Sequence, residues 1–520
     1  MTCREPHRAH QSGGAGQMLR AGRLAMLLSQ GLVLLPGCSS SVNALSSRDA
    51  GTDGAASRDS VGEPSSAAET GPQNCSAQAG GPAAVDPAPS VAQAAYQRDE
   101  LTAYIHFGLE TFDGTEQGDS SKDVPGLFNP TNLDANQWVT ALKDAGFRQV
   151  TLTVKHGTGF CLWPSKSTDF SVKASPWKNG QGDVVREFTD AMHAADMSVG
   201  LYLSPLDQHY PSSSPTYDAY FRSLLIELLS ESNYGIIDQL HFDGYNAPKS
   251  LDWKGIVQLA KQLQPDMLVW MGPEIATSGA DLRWNGNQVG QSSRSTSSIG
   301  DIPNGGPKNT WYPAEAPVSV HLPDWFWHPN ATTVSLKSLQ TMYLQTVGAN
   351  TTLRLSVPPS TAGLLDAADV NLLQGLGKWH ESLYKTNLLQ GQPLAADSTW
   401  ADPGFAAAKV LDDNVCTYWA AASGKTSGRI EVTPTSPITF NLISIREPIA
   451  LGERATAYHV EIKQNGAWNR TILDASGTQV QGTVIGQRQL WQLNATTADG
   501  IALVIDAAKD VPAIAEFGVY

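Results

Sequence analysis

Apolar residues in the middle of the chain fall into short runs that alternate with longer segments of helical periodicity. The short runs predict strands at 101–109, 149–154, 198–203, 236–243, 267–271 and 352–357. Between them, apolar residues recur every three or four positions, which predicts helices at 134–145, 183–195, 217–229, 252–263, 337–347 and 366–384. This alternation is typical of parallel β/α units. We therefore predict an α/β domain, a (β/α)8-like TIM barrel, over residues 96–386, with an irregular stretch at 275–335.

The pattern changes after residue 387. Short alternating apolar runs follow one another, separated by Gly, Asn and Asp turns, at 429–432, 438–445, 457–463 and 500–505. Many short strands at this spacing are typical of two packed antiparallel sheets. We predict an all-β sandwich (jelly-roll) domain over 387–520.

The N-terminal region has the pattern of an export signal. Arg20 and Arg23 precede an apolar segment, 24–35, that is too short to remain as a membrane span. The letters LPGCS around Cys38 resemble the lipobox of bacterial lipoproteins. We predict a signal peptide over 1–38 that ends at a lipidated Cys38, with plain secretion as the alternative. The protein would then lie in the bacterial cell envelope, periplasmic or surface-exposed, and would touch the membrane through its lipid anchor only.

Residues 39–95 are rich in Ser, Ala, Gly and Pro and contain few large apolar side chains. Such a segment cannot bury enough apolar surface to offset the entropy of ordering it, so we predict a disordered linker. The five cysteines show neither metal-ligand spacing nor an even disulfide framework, and Cys75 is expected to be incidental. The net charge of -15 argues against a nucleic-acid partner, because binding phosphates needs a basic face.

Polar residues interrupt the barrel strands near their C-terminal ends, the rim on which barrel enzymes keep their chemistry. Asp243 ends the 236–243 run and is the first candidate for a catalytic residue. A single strand-end histidine is more often a hydrogen-bonded core residue, and a single tyrosine is more often packing. Taken as a set, the rim residues predict a shared sugar-sized pocket; they are His106, Lys155, His156, Tyr202, Asp243 and the loop 283–288.

Eight motifs in this region closely resemble the α-L-fucosidases of glycoside hydrolase family 29. They are 104–109 (YIHFGL), 128–130 (FNP), 144–147 (DAGF), 159–166 (GFCLWPSK), 175–180 (SPWKNG), 200–205 (GLYLSP), 242–244 (FDG) and 283–287 (RWNGN). The resemblance covers about 98–385 and is greatest to the branch that acts on α-1,3- and α-1,4-linked fucose. It is specific because many separate motifs occur in the family's order.

This resemblance implies retaining hydrolysis of terminal α-L-fucose, in which a carboxylate forms a glycosyl-enzyme and a second group exchanges protons. By motif match, Asp243 is the expected nucleophile, and a fucosylated oligosaccharide or glycoconjugate is the expected substrate. No metal or organic cofactor is implied for catalysis. The positions expected to bind the sugar are His106, His156, Tyr202, His241, Arg283 and Trp284.

The chain departs from the family at Gln288, where the acid/base Glu is expected. An amide neither donates a proton to a leaving alcohol nor accepts one from water, and such help is commonly worth about 10²–10⁴ in rate. Glu116 is the first substitute acid/base candidate, followed by Glu274 and Glu315; for each one, a surface or structural role is the alternative. Two rival functions stay open, namely a glycan-binding pseudoenzyme and a hydrolase for a related α-linked sugar.

The C-terminal domain resembles coagulation factor 5/8 type C, or discoidin-like, modules. The similar segments are 410–419, 446–454 and 514–520. Such modules often hold a structural calcium ion, and hard oxygen ligands of the kind calcium prefers are present. The candidate ligands are Asp412, Asn414, Thr417 and Glu516. Turn capping by the same residues is an equal alternative.

Overall fold

The computed structural model of the protein describes residues 75, 77–244, 247–276 and 279–520. The predicted signal peptide over 1–38, its lipidated Cys38 and the predicted linker up to residue 74 lie outside these residues. Within the described chain, no helix combines the length and the apolar character needed to cross a membrane.

Parallel strands form a barrel in the first domain. They are β1 (Leu101–Ile105), β2 (Gln149–Lys155), β3 (Ser198–Leu203), β4 (Gln239–Phe242), β5 (Leu268–Met271), β6 (Arg283–Trp284), β7 (Ala314–Ser319) and β8 (Thr352–Ser356). Their order in the sheet is β5-β4-β3-β2-β1-β8-β7-β6, and a bridge between Trp270 and Leu282 links the two outer strands. The predicted TIM-like barrel is confirmed.

Helices lie around the barrel, and those at 135–144, 184–194, 217–229, 253–263, 336–346 and 367–383 follow the predicted segments to within a few residues, whereas the others were not predicted. The helices are α1 (Val91–Asp99), α2 (Leu109–Asp113), α3 (Ala135–Asp144), α4 (Val184–Ala194), α5 (Tyr217–Leu229), α6 (Glu231–Tyr234), α7 (Trp253–Leu263), α8 (Leu336–Thr346) and α9 (Ala367–Leu383). Helices α3, α4 and α7 begin after Asp134, Asp183 and Asp252, whose carboxylates accept hydrogen bonds from amides of the first turn. These caps satisfy backbone donors that a helix start leaves unpaired.

The interior of the barrel contains a buried ion pair. Glu315 on β7 and Arg354 on β8 are both fully buried, and Oε2 of Glu315 lies 2.9 Å from Nε of Arg354. Glu315 also accepts hydrogen bonds from the phenols of Tyr96, at 2.5 Å, and Tyr104, at 3.2 Å. The guanidinium of Arg354 donates to the side chain of Gln239 at 2.6 Å. Because an unpaired charge in a protein interior costs several kcal/mol, this set of partners keeps both charges in the barrel.

The irregular stretch predicted at 275–335 contains β6, β7 and a two-stranded ribbon formed by 299–300 and 310–311. Strand β7 was missed because its sequence reads as polar and broken, with Glu315 and Pro317 inside it. All six of its residues are nevertheless buried. Its charged residue is neutralised by an arginine on the neighbouring strand, which the local pattern does not reveal.

The second domain consists of antiparallel sheets, as predicted. Its strands are β9 (Leu394–Ala396), β10 (Trp419–Ala420), β11 (Gly428–Val432), β12 (Ile438–Arg446), β13 (Ala455–Gln464), β14 (Ala467–Asn469), β15 (Gln481–Gly482), β16 (Gln489–Ala498), β17 (Gly500–Ala508), β18 (Ala513–Ile514) and β19 (Glu516–Val519). One sheet has the order β9-β11-β17-β13-β14, with β15 also paired to β13, and another has the order β16-β12-β19. Trp419 and Trp491 are buried in its own hydrophobic core.

Charged residues join the barrel to the second domain. Glu100, which directly precedes β1, accepts hydrogen bonds from Arg446 at 2.9 Å and from Arg488 at 2.7 Å. From the other side, Glu453 accepts one from the amide of Asn350 at 2.8 Å. All five side chains are buried. The second domain is therefore held against the barrel by paired polar groups that water does not reach.

A disulfide bond corrects two sequence-based predictions. Cys75 is bonded to Cys416, 341 residues further along the chain. The following segment lies on the second domain, where Gln78 donates to the carbonyl of Cys416 and Arg454 donates to the carbonyl of Ala83. The predicted disordered linker is thus wrong for residues 75 and 77–95, and the expectation that Cys75 is incidental is wrong. This segment is ordered by a covalent bond and by hydrogen bonds to its backbone, so its composition did not indicate order.

Loss of the Cys75–Cys416 bond is expected to destabilise the protein. Replacing Cys416 with Ser should lower the free energy of unfolding by about 2–5 kcal/mol, because a bond that closes so long a loop restricts the unfolded chain. Urea unfolding followed by tryptophan fluorescence under oxidising conditions measures the change. A reducing agent should destabilise the native protein and leave the Cys416→Ser variant unchanged; equal midpoints for the two oxidised proteins would contradict the prediction.

Candidate active site

The predicted pocket residues lie together at the carboxyl ends of the first four barrel strands. His106 follows β1, His156 follows β2, Tyr202 lies on β3, and Asp243 follows β4. The rings of His106, His156 and His241 have their centroids 6.0, 5.7 and 4.8 Å from that of Tyr202. The barrel therefore brings four rings and one carboxylate onto one rim, and of the predicted set these include His106, His156, Tyr202 and Asp243.

Asp243 is held by the phenol of Tyr202, which donates a 3.0 Å hydrogen bond to its Oδ2 atom. Burial raises the pKa of Tyr202 well above the ordinary value of 10.0, and the negative charge of Asp243 raises it further. The phenol consequently stays protonated and keeps donating. A hydrogen bond to a charged acceptor is among the stronger ones in proteins, so it fixes this carboxylate in orientation.

Two of the imidazoles are buried and neutral. Nδ1 of His106 lies 2.8 Å from the hydroxyl of Ser356, and Nδ1 of His241 lies 2.8 Å from the phenol of Tyr104. Burial lowers the pKa of His106 well below 6.5, and the neighbouring His156 lowers it further. The pKa of His241 is also lowered well below 6.5, first by burial and then by the charge of Arg354. Neutral imidazoles both donate and accept hydrogen bonds, which suits contact with hydroxyl groups.

Glu110, which sequence reasoning missed, positions the third imidazole. Its carboxylate lies 3.2 Å from Nδ1 of His156 and accepts a hydrogen bond from the amide of Thr158. Burial by itself would raise the pKa of Glu110, but the hydrogen bond and charge of His156 hold it below its usual value. This pairing was not detectable as a pattern, because Glu110 lies on the short helix α2 and its partner follows a different strand.

Aromatic side chains from two other elements complete the cluster. Trp270 on β5 stacks on His241 with centroids 3.8 Å apart, and His241 in turn stacks on Tyr202. Trp325 and Phe326, in the loop after β7, each lie 5.4 Å from His106. Aromatic surface at this rim therefore comes from β5 and from a loop as well as from the first four strands. The dense run of aromatic residues at 325–328 was the available signal.

Glu116, the first substitute acid/base candidate, is bound within the protein. Its carboxylate accepts hydrogen bonds from the amides of Trp325, at 2.8 Å, and Phe326, at 3.3 Å, and pairs with Nε2 of His328 at 2.7 Å. Glu116, Asp324 and His328 form a group of side chains that could hold a metal ion, and their potential ligand atoms lie within 4.8 Å of one another. These contacts indicate that Glu116 anchors the aromatic loop.

Glu315 is excluded as a proton donor by its position. Glu315 lies fully buried inside the barrel and is paired with Arg354, so its role is structural. Lys155, at the end of β2, is structural as well: it pairs with Asp207 at 3.3 Å and donates to the carbonyl of Leu206. Glu274, by contrast, is exposed on the segment that follows β5.

The loop after β6 carries Gln288, whose side chain is exposed. Arg283 donates to the carbonyls of Tyr312 and Ser297, and the indole of Trp284 donates to the carbonyl of Asn287. Burial lowers the pKa of Arg283. The polar atoms of Arg283 and Trp284 thus determine the shape of the loop that presents Gln288, and binding of a sugar by these two residues stays a prediction.

The candidate calcium ligands in the second domain bind protein donors. Asp412 accepts hydrogen bonds from the hydroxyl of Thr417 and the amide of Asn414, and it pairs with Lys409 at 3.2 Å. The carboxylate of Glu516 pairs with Arg446 at 3.1 Å. This arrangement is the turn-capping alternative, with a cation beside each carboxylate, and calcium binding stays a prediction.

The buried neutral histidines predict a loss of stability in acid. Because the pKa values of His106 and His241 are lower in the folded state than the unfolded value of about 6.5, the unfolded chain binds protons first as the pH falls. Their contribution to stability is complete above pH 6.5 and is lost below it, at about 2 kcal/mol for each histidine between pH 7 and pH 5. Urea unfolding of the native protein and of His241→Gln at both pH values measures this.

The matched control for that experiment is the interval between pH 8 and pH 7, where both imidazoles are uncharged in either state. There the native protein and His241→Gln should differ by a constant amount. Between pH 7 and pH 5 the variant should lose about 2 kcal/mol less than the native protein does. An identical loss in both proteins would contradict the prediction.

Comparison with known proteins gives a consistent picture. A family model described as Alpha-L-fucosidase matches residues 90–383. Alpha-L-fucosidase 1 of Arabidopsis thaliana is 34% identical over 464 residues, which cover 84% of this chain and 88% of that protein. A GH29 fucosidase of Ruminococcus gnavus, solved in complex with fucose, is 30% identical, with a TM-score of 0.78 over 86% of this chain and 98% of that one. A glycoside hydrolase 29 family member from an unknown rumen bacterium is also 30% identical, with a TM-score of 0.72 over 85% and 78% of the two chains.

The family match extends over the whole barrel, from α1 to α9. The Arabidopsis relative and the Ruminococcus gnavus structure match 84% and 86% of this chain, which is more than the barrel alone. The chain therefore belongs to the α-L-fucosidase family, glycoside hydrolase family 29, and is an enzyme of the α-L-fucosidase class.

Proposed function

We propose that this enzyme is a retaining exo-glycosidase that releases terminal α-1,3- or α-1,4-linked L-fucose from oligosaccharides or glycoconjugates, with Asp243 as its nucleophile. The position of Asp243 carries the proposal: it follows β4 on the barrel rim, is hydrogen-bonded by Tyr202 and lies beside a cluster of imidazoles. Hydroxyl-binding groups around one oriented carboxylate suit a sugar ring. The linkage preference is supported by the resemblance over about 98–385, which is greatest to the branch that acts on α-1,3- and α-1,4-linked fucose.

In the proposed reaction, an oxygen of Asp243 bonds to the anomeric carbon while the bond from that carbon to the leaving oxygen breaks. Water then attacks the same carbon and releases the carboxylate, so fucose leaves with its original configuration. Tyr202 holds the Oδ2 atom during this exchange. His106, His156 and His241 would bind hydroxyls of the sugar.

The acid/base position is atypical, since Gln288 does not exchange protons. A poor leaving group needs a proton as its bond breaks, whereas an activated phenol leaves without one. If no other group took over, natural glycosides would react slowly and activated aryl fucosides would react well. The leaving group of the substrate is therefore the variable that tests this position.

Replacing Asp243 with Ala should abolish hydrolysis. We expect kcat/KM to fall by at least about 10³-fold on 4-nitrophenyl α-L-fucoside and on an α-1,3/1,4-fucosylated oligosaccharide, because the covalent intermediate cannot form. Asp266→Ala, an exposed carboxylate on the turn before β5, is the matched control and should retain native activity. Proton NMR should detect α-L-fucose as the first product.

Initial release of the β-anomer would contradict retention. Hydrolysis that persists in Asp243→Ala would contradict the assignment of the nucleophile. Absence of release from both substrates by the native protein would favour a glycan-binding protein or a hydrolase for a related sugar.

We also propose that the enzyme is a lipoprotein of the bacterial envelope, anchored at Cys38. The Cys75–Cys416 disulfide supports an oxidising compartment, because such bonds persist outside the cytosol. The second domain is proposed to be a discoidin-like module, and its buried contacts with Glu100 support a bracing role.

Lipidation is testable in a bacterial host supplied with radiolabelled palmitate. The native protein should incorporate label and fractionate with membranes, whereas Cys38→Ala should lose both properties because the acceptor thiol is gone. Cys3→Ala is the matched control and should still be labelled. An unlabelled native protein in the culture medium would support plain secretion.

A further inference from the structure

We infer that Glu274 performs the proton transfers that Gln288 cannot, and so replaces the missing acid/base residue. The inference rests on the proposed retaining mechanism with Asp243 as nucleophile. In the sequence, Glu274 is one of several carboxylates that could substitute. In the structure, these carboxylates differ in position and in pairing.

The position of Glu274 around the barrel supports this role. It follows β5, which pairs on one side with β4 through Phe242 and Met271 and bridges on the other side to β6 through Trp270 and Leu282. Asp243 follows β4 and Gln288 follows β6. Glu274 therefore leaves the rim from the strand between the nucleophile and the vacant acid/base position. Neighbouring strands lie about 4.8 Å apart, so side chains that follow adjacent strands are within reach of one another.

The Glu274 carboxylate also lies close to the chain beside Asp243. A Cβ atom placed on Gly244, the residue after Asp243, would lie 2.9 Å from Oε2 of Glu274, and one placed on Gly272 would lie 3.4 Å from it. A carbon–carbon bond is about 1.5 Å long, so this oxygen lies at most about 4.5 Å from the Cα of Gly244. Two glycines thus leave room for a carboxylate at this edge of the pocket.

Hydrogen bonds hold the backbone around Glu274, whereas its side chain is exposed. The amide of Gly272 donates to the carbonyl of Phe242 at 3.0 Å, and the amides of Ile275 and Ala276 donate back to Gly272. The side chain of Asn304 donates to the carbonyl of Glu274 at 3.1 Å. The carboxylate itself is exposed, and among residues 75, 77–244, 247–276 and 279–520 no hydrogen-bond donor or cation pairs with it.

The other carboxylates near the rim are engaged. Glu116 accepts hydrogen bonds from two amides and pairs with a histidine, Glu110 pairs with His156, and Glu315 is buried with Arg354. A group that gives up a proton and takes one back in each turnover must be free to change its protonation state. Of these four residues, Glu274 alone meets that condition.

The proposed steps conserve atoms and electrons. As Asp243 bonds to the anomeric carbon, the electron pair of the breaking glycosidic bond moves to the leaving oxygen, which takes the proton of the Glu274 carboxylic acid. In the second step the Glu274 carboxylate removes a proton from water while the water oxygen bonds to the anomeric carbon. The bond from that carbon to Asp243 breaks in the same step and its electron pair returns to the Asp243 carboxylate, which restores both residues.

The test is Glu274→Gln in the full-length protein, assayed on 4-nitrophenyl α-L-fucoside and on an α-1,3-fucosylated oligosaccharide. We expect kcat/KM on the oligosaccharide to fall by about 10²–10⁴-fold, because its leaving alcohol needs a proton. On the aryl fucoside kcat/KM should fall less than about tenfold, because nitrophenolate leaves unaided. Glu381→Gln, an exposed residue of α9, is the matched control and should behave as the native protein does.

Azide provides a readout that a structural role would not produce. It needs no deprotonation, so it should attack the glycosyl-enzyme of Glu274→Gln, raise kcat on the aryl fucoside and form α-L-fucosyl azide. An oligosaccharide kcat/KM within threefold of native, or no fucosyl azide from an active variant, would overturn the inference. Failure of the proposed function is distinguishable, because then the native protein would hydrolyse neither substrate or Asp243→Ala would retain activity.

Discussion

The ion pair between Arg354 and Glu315 is the constraint on which the site depends. It puts two opposite charges inside the barrel, beside the polar side chains of Thr151 and Gln239, and removing one partner would leave the other buried and unpaired, at a cost of about 3–5 kcal/mol. The same carboxylate orients the phenol of Tyr104, and that phenol binds His241. His241 stacks on Tyr202, which holds the proposed nucleophile. A structural interaction in the core therefore reaches the reacting carboxylate through direct contacts.

The acidic residues of the rim differ in role because they differ in surroundings. Glu315 is paired with an arginine, Glu110 with a histidine, and Glu116 accepts hydrogen bonds from amides of the loop that it anchors. Glu274 lies beside two glycines and faces solvent. Four chemically identical side chains thus serve three structural roles and, as we propose, one catalytic role. Residue type alone ranks them equally, and Glu116 was placed first because it resembles a loop glutamate of the family.

The sequence predicted the barrel and the all-β domain because alternation and periodicity are local properties. It also placed Asp243 and Tyr202 on one rim, since parallel strands align their carboxyl ends. Features that depend on distant partners were missed. Strand β7 was unrecognised because Glu315 is matched only by Arg354 on the next strand, and Cys75 seemed incidental because its partner lies 341 residues away. Trp325 lies in a loop, and only the folded chain brings it next to His106.

The position of the disulfide has a mechanical consequence. If the chain is tethered through its N-terminal region, tension along the tether arrives first at Cys75 and passes through the covalent bond to Cys416 in the second domain. The carbonyls of Gly80 and Ala83 follow this crosslink in the chain, so the hydrogen bonds that they accept do not bear the load. The barrel rim lies further along the chain still. In that arrangement the load would bypass the rim that carries Asp243.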